Sequence, residues 1–472
     1  MLRALSWKAP GALYRKLPWT TMNLPPLLAA ALFGPLLMLA QPAAAQLGGG
    51  LPRLPSLPSL PSLPPPLDPN RNLRALEREL APPDLLELRR RHVNQLLRRD
   101  PARFEADPAG EPVVRGELTV TLSPTLTATA AGAALLDAAR ADGFTLLREQ
   151  VLDGLDLRVV VLRPPRGLST AAALERLRAL APDAVIDFNH VYTGSGAADG
   201  AAAPASTPPP AAATGSPGVR VGLIDGAVDA AHPAFRGADL RVRACSKPTV
   251  PSAHGTAVAS LLVGRDTRFR GVLPGATLYA ASVHCGDAAG PGGDGAVDAI
   301  AVALAWMARE RVPVVNVSLV GPANRTLEQV VRAFVAKGHV LVAAVGNDGP
   351  AAPPLYPAAY PQVVGVTAVD TRQRAIAEAL RGPQVMFAAP GADVAVAAGA
   401  RGYGAARGTS FAAPVVAGLI AQRLREPDAL EAARVLEELA HLALDLGSPG
   451  RDPVFGHGLI GEALRTDPLA LR

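Results

Sequence analysis

Cysteine is almost missing from this chain, with only Cys245 and Cys285 among 472 residues. Two thiols are too few for a zinc cage built from thiolates. Charge of one sign is also lacking: 46 Lys and Arg stand against 41 Asp and Glu, a net of +5. That mixed balance is not the basic stripe of a nucleic-acid binder, so no nucleic-acid partner is expected. The arginines thicken only at "ELRRRHVNQLLRRD", which reads as the solvated face of a helix. No long unbroken apolar run occurs. The best one, "LPPLLAAALFGPLLMLA", is short for a membrane span and is interrupted by prolines, which argues against a stable span. No Asp-rich loop is strong enough to name calcium ligands. Aromatics are scarce, so aliphatic side chains must form the cores.

Arg3, Lys8, Arg15 and Lys16 precede the apolar run, and "QPAAAQ" with its small residues follows it. Residues 1–45 therefore read as a secretory signal cut after Ala45, although Met22 is an alternative start without the basic head. Export to the periplasm or medium permits a disulfide, and one Cys245–Cys285 bridge is expected, two buried free thiols being the alternative. His284 beside Cys285 is too little for a metal site, and no metal ligands are assigned. Residues 46–72 contain the Leu-Pro-Ser repeat "LPRLPSLPSLPSLPPPLDP", an extended spacer. Residues 73–115 begin as a helical, Arg-rich segment interrupted at Pro82-Pro83. The remaining length suits two folded units.

Over residues 116–192 the pattern becomes regular: strand "GELTVTL", helix "ATAAGAALLDAARADG", strands "FTLLREQVL" and "LDLRVVVL" about a turn at Asp153-Gly154, helix "STAAALERLRALAP", strand "AVIDFNHVY". This is the βαββαβ order of a small α+β ferredoxin-like unit. Residues 193–217, rich in Gly, Ala, Ser and Pro, read as a flexible linker. Residues 218–472 alternate apolar β-branched runs with helical patterns, which predicts an α/β domain whose parallel sheet is covered by helices on both faces. Ligands of such sheets bind beyond the strands' carboxyl ends, where Asp225 and Asn347 fall.

Within "AARGTSFAAPVVAG", Ser410 stands at the start of a small-residue helix with Pro414 one turn in, a place for proline where first-turn N–H groups have no partner. A lone serine there is ordinarily an N-cap. A nucleophile needs a base and a group to orient that base. "VRVGLIDGAVDAAHPAF" supplies Asp225 at a strand end. "SAHGTAVASLLVG" supplies His254 at a helix start, with Gly255 admitting close backbone approach, and "LVAAVGNDGP" supplies Asn347, whose amide can face a developing oxyanion. His232, His339 and His457 are weaker candidate bases. The order acid, base, serine and the missing second glycine after Ser410 exclude the α/β-hydrolase elbow.

At these residues the sequence resembles the subtilisin-like serine proteases. The resemblance covers residues 218–464 and includes the closing "LGSPGRDPVFGHGLI". It implies Ser410 as nucleophile, His254 as base and then acid, Asp225 as its orienting carboxylate and Asn347 as oxyanion donor. It further implies that Ser318, Leu319 and Val320 form an edge where a polypeptide substrate adds as a strand, with Gly346 also in the substrate cleft. The βαββαβ unit then corresponds to a propeptide that inhibits its own protease intramolecularly and is removed by self-cleavage; a monomer without a cofactor is expected. Calcium is common in such enzymes, but no ligands are named here. Departures are Gly-Ala after Asp225, Ala257 and Val415 in place of histidines, and Val320 in place of glycine, which narrows the primary pocket toward small or aliphatic side chains. The alternative is a catalytically silent scaffold that acts by binding protein.

Overall fold

Alternation along β2 explains the N-terminal unit. In the computed structural model, residues 85–123, 130–194, 197–198, 216–244, 250–283 and 295–471 are described. The order is α1 (Leu85–Arg99), β1 (Phe104–Ala106), β2 (Pro112–Leu122), α2 (Ala130–Ala141), β3 (Thr145–Leu152), β4 (Leu157–Arg163), α3 (Thr170–Leu180) and β5 (Val185–His190). The strands pair antiparallel as β5-β2-β4-β3, and β1 adds along the start of β2. Leu118, Val120 and Leu122 share a core with Leu174 and Leu177 of α3. Thr119 and Thr121, one residue out of step, face the other way, as a period of two requires.

The chain continues as β6 (Thr193–Gly194), β7 (Ala197–Ala198), β8 (Arg220–Asp225), β9 (Asp239–Arg243), α4 (Ala253–Val263), β10 (Thr277–Ser282), α5 (Val297–Arg309), β11 (Val314–Val317) and β12 (Leu319–Val320). Next come α6 (Arg325–Ala336), β13 (Val340–Ala344), β14 (Val364–Val369), β15 (Val385–Pro390), β16 (Ala392–Ala398), β17 (Gly402–Arg407), α7 (Thr409–Arg423) and α8 (Ala429–Leu442). Seven strands form a wholly parallel sheet, β15-β14-β13-β11-β8-β10-β9. Residues of α4 and α7 share one core with one face of this sheet, and residues of α5 and α6 share another with the opposite face.

The outer sides of α5 and α6 meet the N-terminal sheet. Leu152, Leu155, Leu157 and Val159 belong to the same core as these helices. Polar contacts fix the register: Thr326 at the start of α6 lies 2.9 Å and 3.1 Å from the hydroxyls of Thr119 and Thr121, and Asp187 accepts from the Arg325 N–H at 2.8 Å. A carboxylate there complements the positive end of α6. At α5, Asp298 accepts from Arg148 at 2.7 Å and from Asn189 at 2.9 Å.

Two expectations change. The stretch 193–217 does not begin as a free linker: β6 and β7 lie within it, because the exposed backbone of β12 and β17 offers hydrogen-bond partners even to Gly and Ala. Arg89 in the arginine-rich helix is not a solvated charge but is half-buried between Glu111 and Asp348, at 2.7 Å and 3.1 Å. The signal, the Pro-rich spacer, residues 73–84, most of the linker, His284, and Cys245 and Cys285 with their expected bridge lie outside the described residues.

His339, just before β13, is buried, stacks on Phe334 with ring centroids 4.3 Å apart, and donates from Nδ1 to the Val312 carbonyl at 2.7 Å. Burial pulls its pKa down to about 4 against an ordinary 6.5, with Arg311 and Lys337 adding to the fall. The unfolded chain thus takes up this proton near pH 6.5 and the folded chain only near pH 4, so stability present above 6.5 is lost as the pH falls through that window. In a Ser410→Ala background, urea unfolding should show a wild-type loss about 3 kcal/mol larger between pH 7 and 4 than that of His339→Gln. Parallel pH profiles would show that His339 is not held neutral.

Candidate active site

β8 delivers Asp225 to the carboxyl edge of the parallel sheet between β11 and β10, where the strand order reverses, the position at which ligands of such sheets bind. α4 starts beside it, its first turn capped by Ser252, whose hydroxyl accepts from the Gly255 N–H at 3.2 Å. A Cβ on Gly255 would lie 2.3 Å from the Gly226 carbonyl oxygen, so only glycine permits this approach. The result is His254 Nδ1 at 3.0 Å from both carboxylate oxygens of Asp225. Against a carboxylate acceptor Nδ1 carries the proton, which leaves Nε2 of the neutral ring as the basic nitrogen. Asp225 is buried, and its Oδ1 also accepts from the Gly226 N–H at 2.6 Å.

Ser410 is the second residue of α7, after Gly408 at φ +142°, and is fully buried. Pro414 lies deeper than the sequence reading placed it: its missing N–H would have bonded the Ser410 carbonyl. That carbonyl accepts instead from the Ser318 hydroxyl at 3.0 Å, while Ser410 Oγ faces the Ser318 carbonyl at 3.4 Å. Asn316 Nδ2 in turn donates to Ser318 Oγ at 2.9 Å. These contacts clip the start of α7 to the strand that runs into β12. The ring of Phe411, next to Ser410, lies 5.5 Å from that of His254.

Asn347 is oriented by the same helix start. Its Oδ1 accepts from the Thr409 N–H at 3.0 Å, and Nδ2 is buried without a hydrogen-bond partner among the described residues. A buried amide donor left open is costly, and an anionic oxygen would complete it. Gly346, at φ +106°, donates its N–H to Thr409 Oγ1 at 3.2 Å. Thr409 therefore holds both Gly346 and Asn347, a role invisible in the sequence because its partners lie some sixty positions away. The same holds for Arg89, which reaches Asp348, the neighbour of Asn347. Burial pushes the Asp348 carboxyl above its usual range, and Arg89 opposes this.

The chain itself crosses this site. Gly194 pairs with Leu319 and Thr193 with Val320, antiparallel, and a Cβ on Gly194 would lie 3.5 Å from the His254 ring. Beyond, Ala197 pairs with Arg407 and Ala198 with Ala406, just ahead of Ser410. Tyr192 is fully buried, its ring over Gly321 and its hydroxyl donating to the Pro322 carbonyl at 2.5 Å. Asp225 and His254 are thus in contact, Ser318 bonds Ser410, Thr409 beside Ser410 bonds Gly346 and Asn347, and Leu319 and Val320 pair with the strand whose Gly194 lies against His254. Among the described residues no three His, Cys, Asp or Glu side chains cluster in a way that could hold a metal ion.

Residues 216–458, just over half of the chain, match the family model described as the subtilase family. Subtilisin DY of Bacillus licheniformis is 34% identical over 250 residues, 51% of this chain and 88% of that one. The minor extracellular protease Epr of Bacillus subtilis is 32% identical over 212 residues, 44% of this chain and 32% of that one, so the chain spans about a third of that relative's length. Among solved structures, fervidolysin from Fervidobacterium pennivorans, a keratinolytic enzyme related to subtilisin, aligns with a TM-score of 0.60 at 20% identity, over 78% of this chain and 62% of that one. At that identity the likeness concerns the fold.

Replacing Asn347 by leucine should lower kcat about 10²–10³-fold with little change in KM, the size known for an oxyanion-hole asparagine of a subtilisin. A loss below about threefold would make Asn347 a turn residue only.

Proposed function

The chain belongs to the subtilase family of serine endopeptidases, and from that premise we propose an exported zymogen with an Asp225–His254–Ser410 triad that cuts itself between Gly194 and Ala197. His254 Nε2 takes the Ser410 proton as Oγ attacks the substrate carbonyl, and Asp225 holds the ring through Nδ1. Asn347 Nδ2 donates to the tetrahedral oxygen. The imidazolium then protonates the leaving amine, which departs and leaves an acyl-enzyme that water hydrolyses by the reverse relay.

The observation that carries this reading is the pairing of Thr193–Gly194 with β12 on one side and of Ala197–Ala198 with β17 on the other. The chain is thus paired as an extended strand on both sides of residues 195 and 196, and Arg407, the partner of Ala197, stands just ahead of Ser410 in the sequence. The βαββαβ unit acts as propeptide: it buries α5 and α6 and keeps β6 in the substrate strand's position, an intramolecular inhibitor until cleaved and released. Substrates are polypeptides bound as an added edge strand. Export through residues 1–45 and a Cys245–Cys285 bridge belong to the same reading. No helix among the described residues is long and apolar enough to cross a membrane.

Purified wild-type protein should acquire a new N-terminus after residue 194, 195 or 196, read by N-terminal sequencing, and a fluorophosphonate should label Ser410. Ser410→Ala should stay uncut. A new N-terminus beyond residue 198, or cleavage of the purified serine variant at the wild-type rate, would refute self-processing in this register.

A further inference from the structure

Where a Cβ on Gly194 would face the His254 ring at 3.5 Å, the next residue of a strand bound in that register must point the opposite way. That residue carries the carbonyl offered to Ser410, and its side chain enters the side of the crevice bounded by β12 and Gly346. Gly346 has no side chain, but the space behind its α-carbon is taken. A Cβ there would lie 2.6 Å from Leu355 Cδ1 and 3.3 Å from Leu380 Cδ1. Leu355, Leu380 and Val320 are all buried.

Leu355 is fixed in place by its neighbour. Tyr356 pairs with Gly321 in both directions, N–H to carbonyl, at 2.9 Å and 3.0 Å. This ties the segment to the end of β12 and lays Leu355 between the substrate edge and the oxyanion loop. An aliphatic side chain thus packs directly against the α-carbon of Gly346. Displacing it would overpack a closed core.

We propose that Leu355 plugs the pocket for the residue on the acyl side of the cleaved bond and restricts the protease to Gly, Ala or Ser there. The chain's own sequence between β6 and β7, Ser195-Gly196, carries only such residues. This selectivity rests on the self-cleaving protease reading above and refines its substrate class.

The test uses internally quenched peptides Tyr-Thr-Gly-X-Gly-Ala-Ala with X as Ser, Ala, Leu or Phe, self-processed enzyme, and mass spectrometry to locate the cut. Wild type should cleave after Ser and Ala with kcat/KM about 100-fold above Leu and Phe. Leu355→Gly should raise the Phe-to-Ser ratio at least about tenfold, and Leu355→Ala serves where the glycine variant does not fold. Equal cleavage after Phe and Ser by the wild type would overturn the plug. So would an enzyme that labels at Ser410 yet cuts none of the peptides. Failure of both labelling and cleavage would instead refute the protease reading on which the plug depends.

Discussion

There is no room for a side chain at Gly255. The first turn of α4 lies against the backbone just after β8, with the Gly226 carbonyl where a Cβ would otherwise be. This backbone-on-backbone contact brings the helix bearing His254 within hydrogen-bond reach of the strand bearing Asp225. A parallel sheet supplies the other half of the constraint: its central strands are buried on both faces and cannot shift register without exposing a hydrophobic run. The acid therefore sits at a defined height, and the base is lowered onto it.

A second rigid frame is built around Ser410. Proline at 414 removes one helical hydrogen bond, and Ser318 takes up the freed carbonyl, so that the helix start is fastened to the substrate edge rather than to its own next turn. Thr409 fastens the same helix start to Gly346 and Asn347. Ser410, Asn347 and the strand running into β12 are consequently fastened to one helix start, the kind of frame in which a fixed donor needs no reorganisation.

The N-terminal unit enters the structure through α5, which is buried along most of its length, and through the polar first turn of α6. Carboxylates at the first turns of both helices are bonded to partners from the N-terminal unit or supplied by it: Asp298 to Arg148 and Asn189, and Asp187 to the Arg325 N–H. Release of that unit would uncover apolar helix surface and leave these polar groups to water. Tyr192 against Gly321 and Arg89 between Glu111 and Asp348 extend the contact.

Much of this was legible in the chain. Alternation with period two marked β2 to β5, apolar β-branched runs marked the central parallel strands, and Gly255 announced a close approach by being glycine beside a histidine. The strands β15 to β17 were not read, since their Ala- and Gly-rich stretch carries no alternation to separate them. What sequence alone determined were the local elements and the residue types at their ends, because periodicity, capping and glycine act within a few positions. Only the tertiary structure decided what lies behind Gly346, which partner takes the Ser410 carbonyl, and that Thr193–Gly194 and Ala197–Ala198 pair with two other strands. Those outcomes depend on contacts between segments tens to hundreds of residues apart, and no local pattern encodes them.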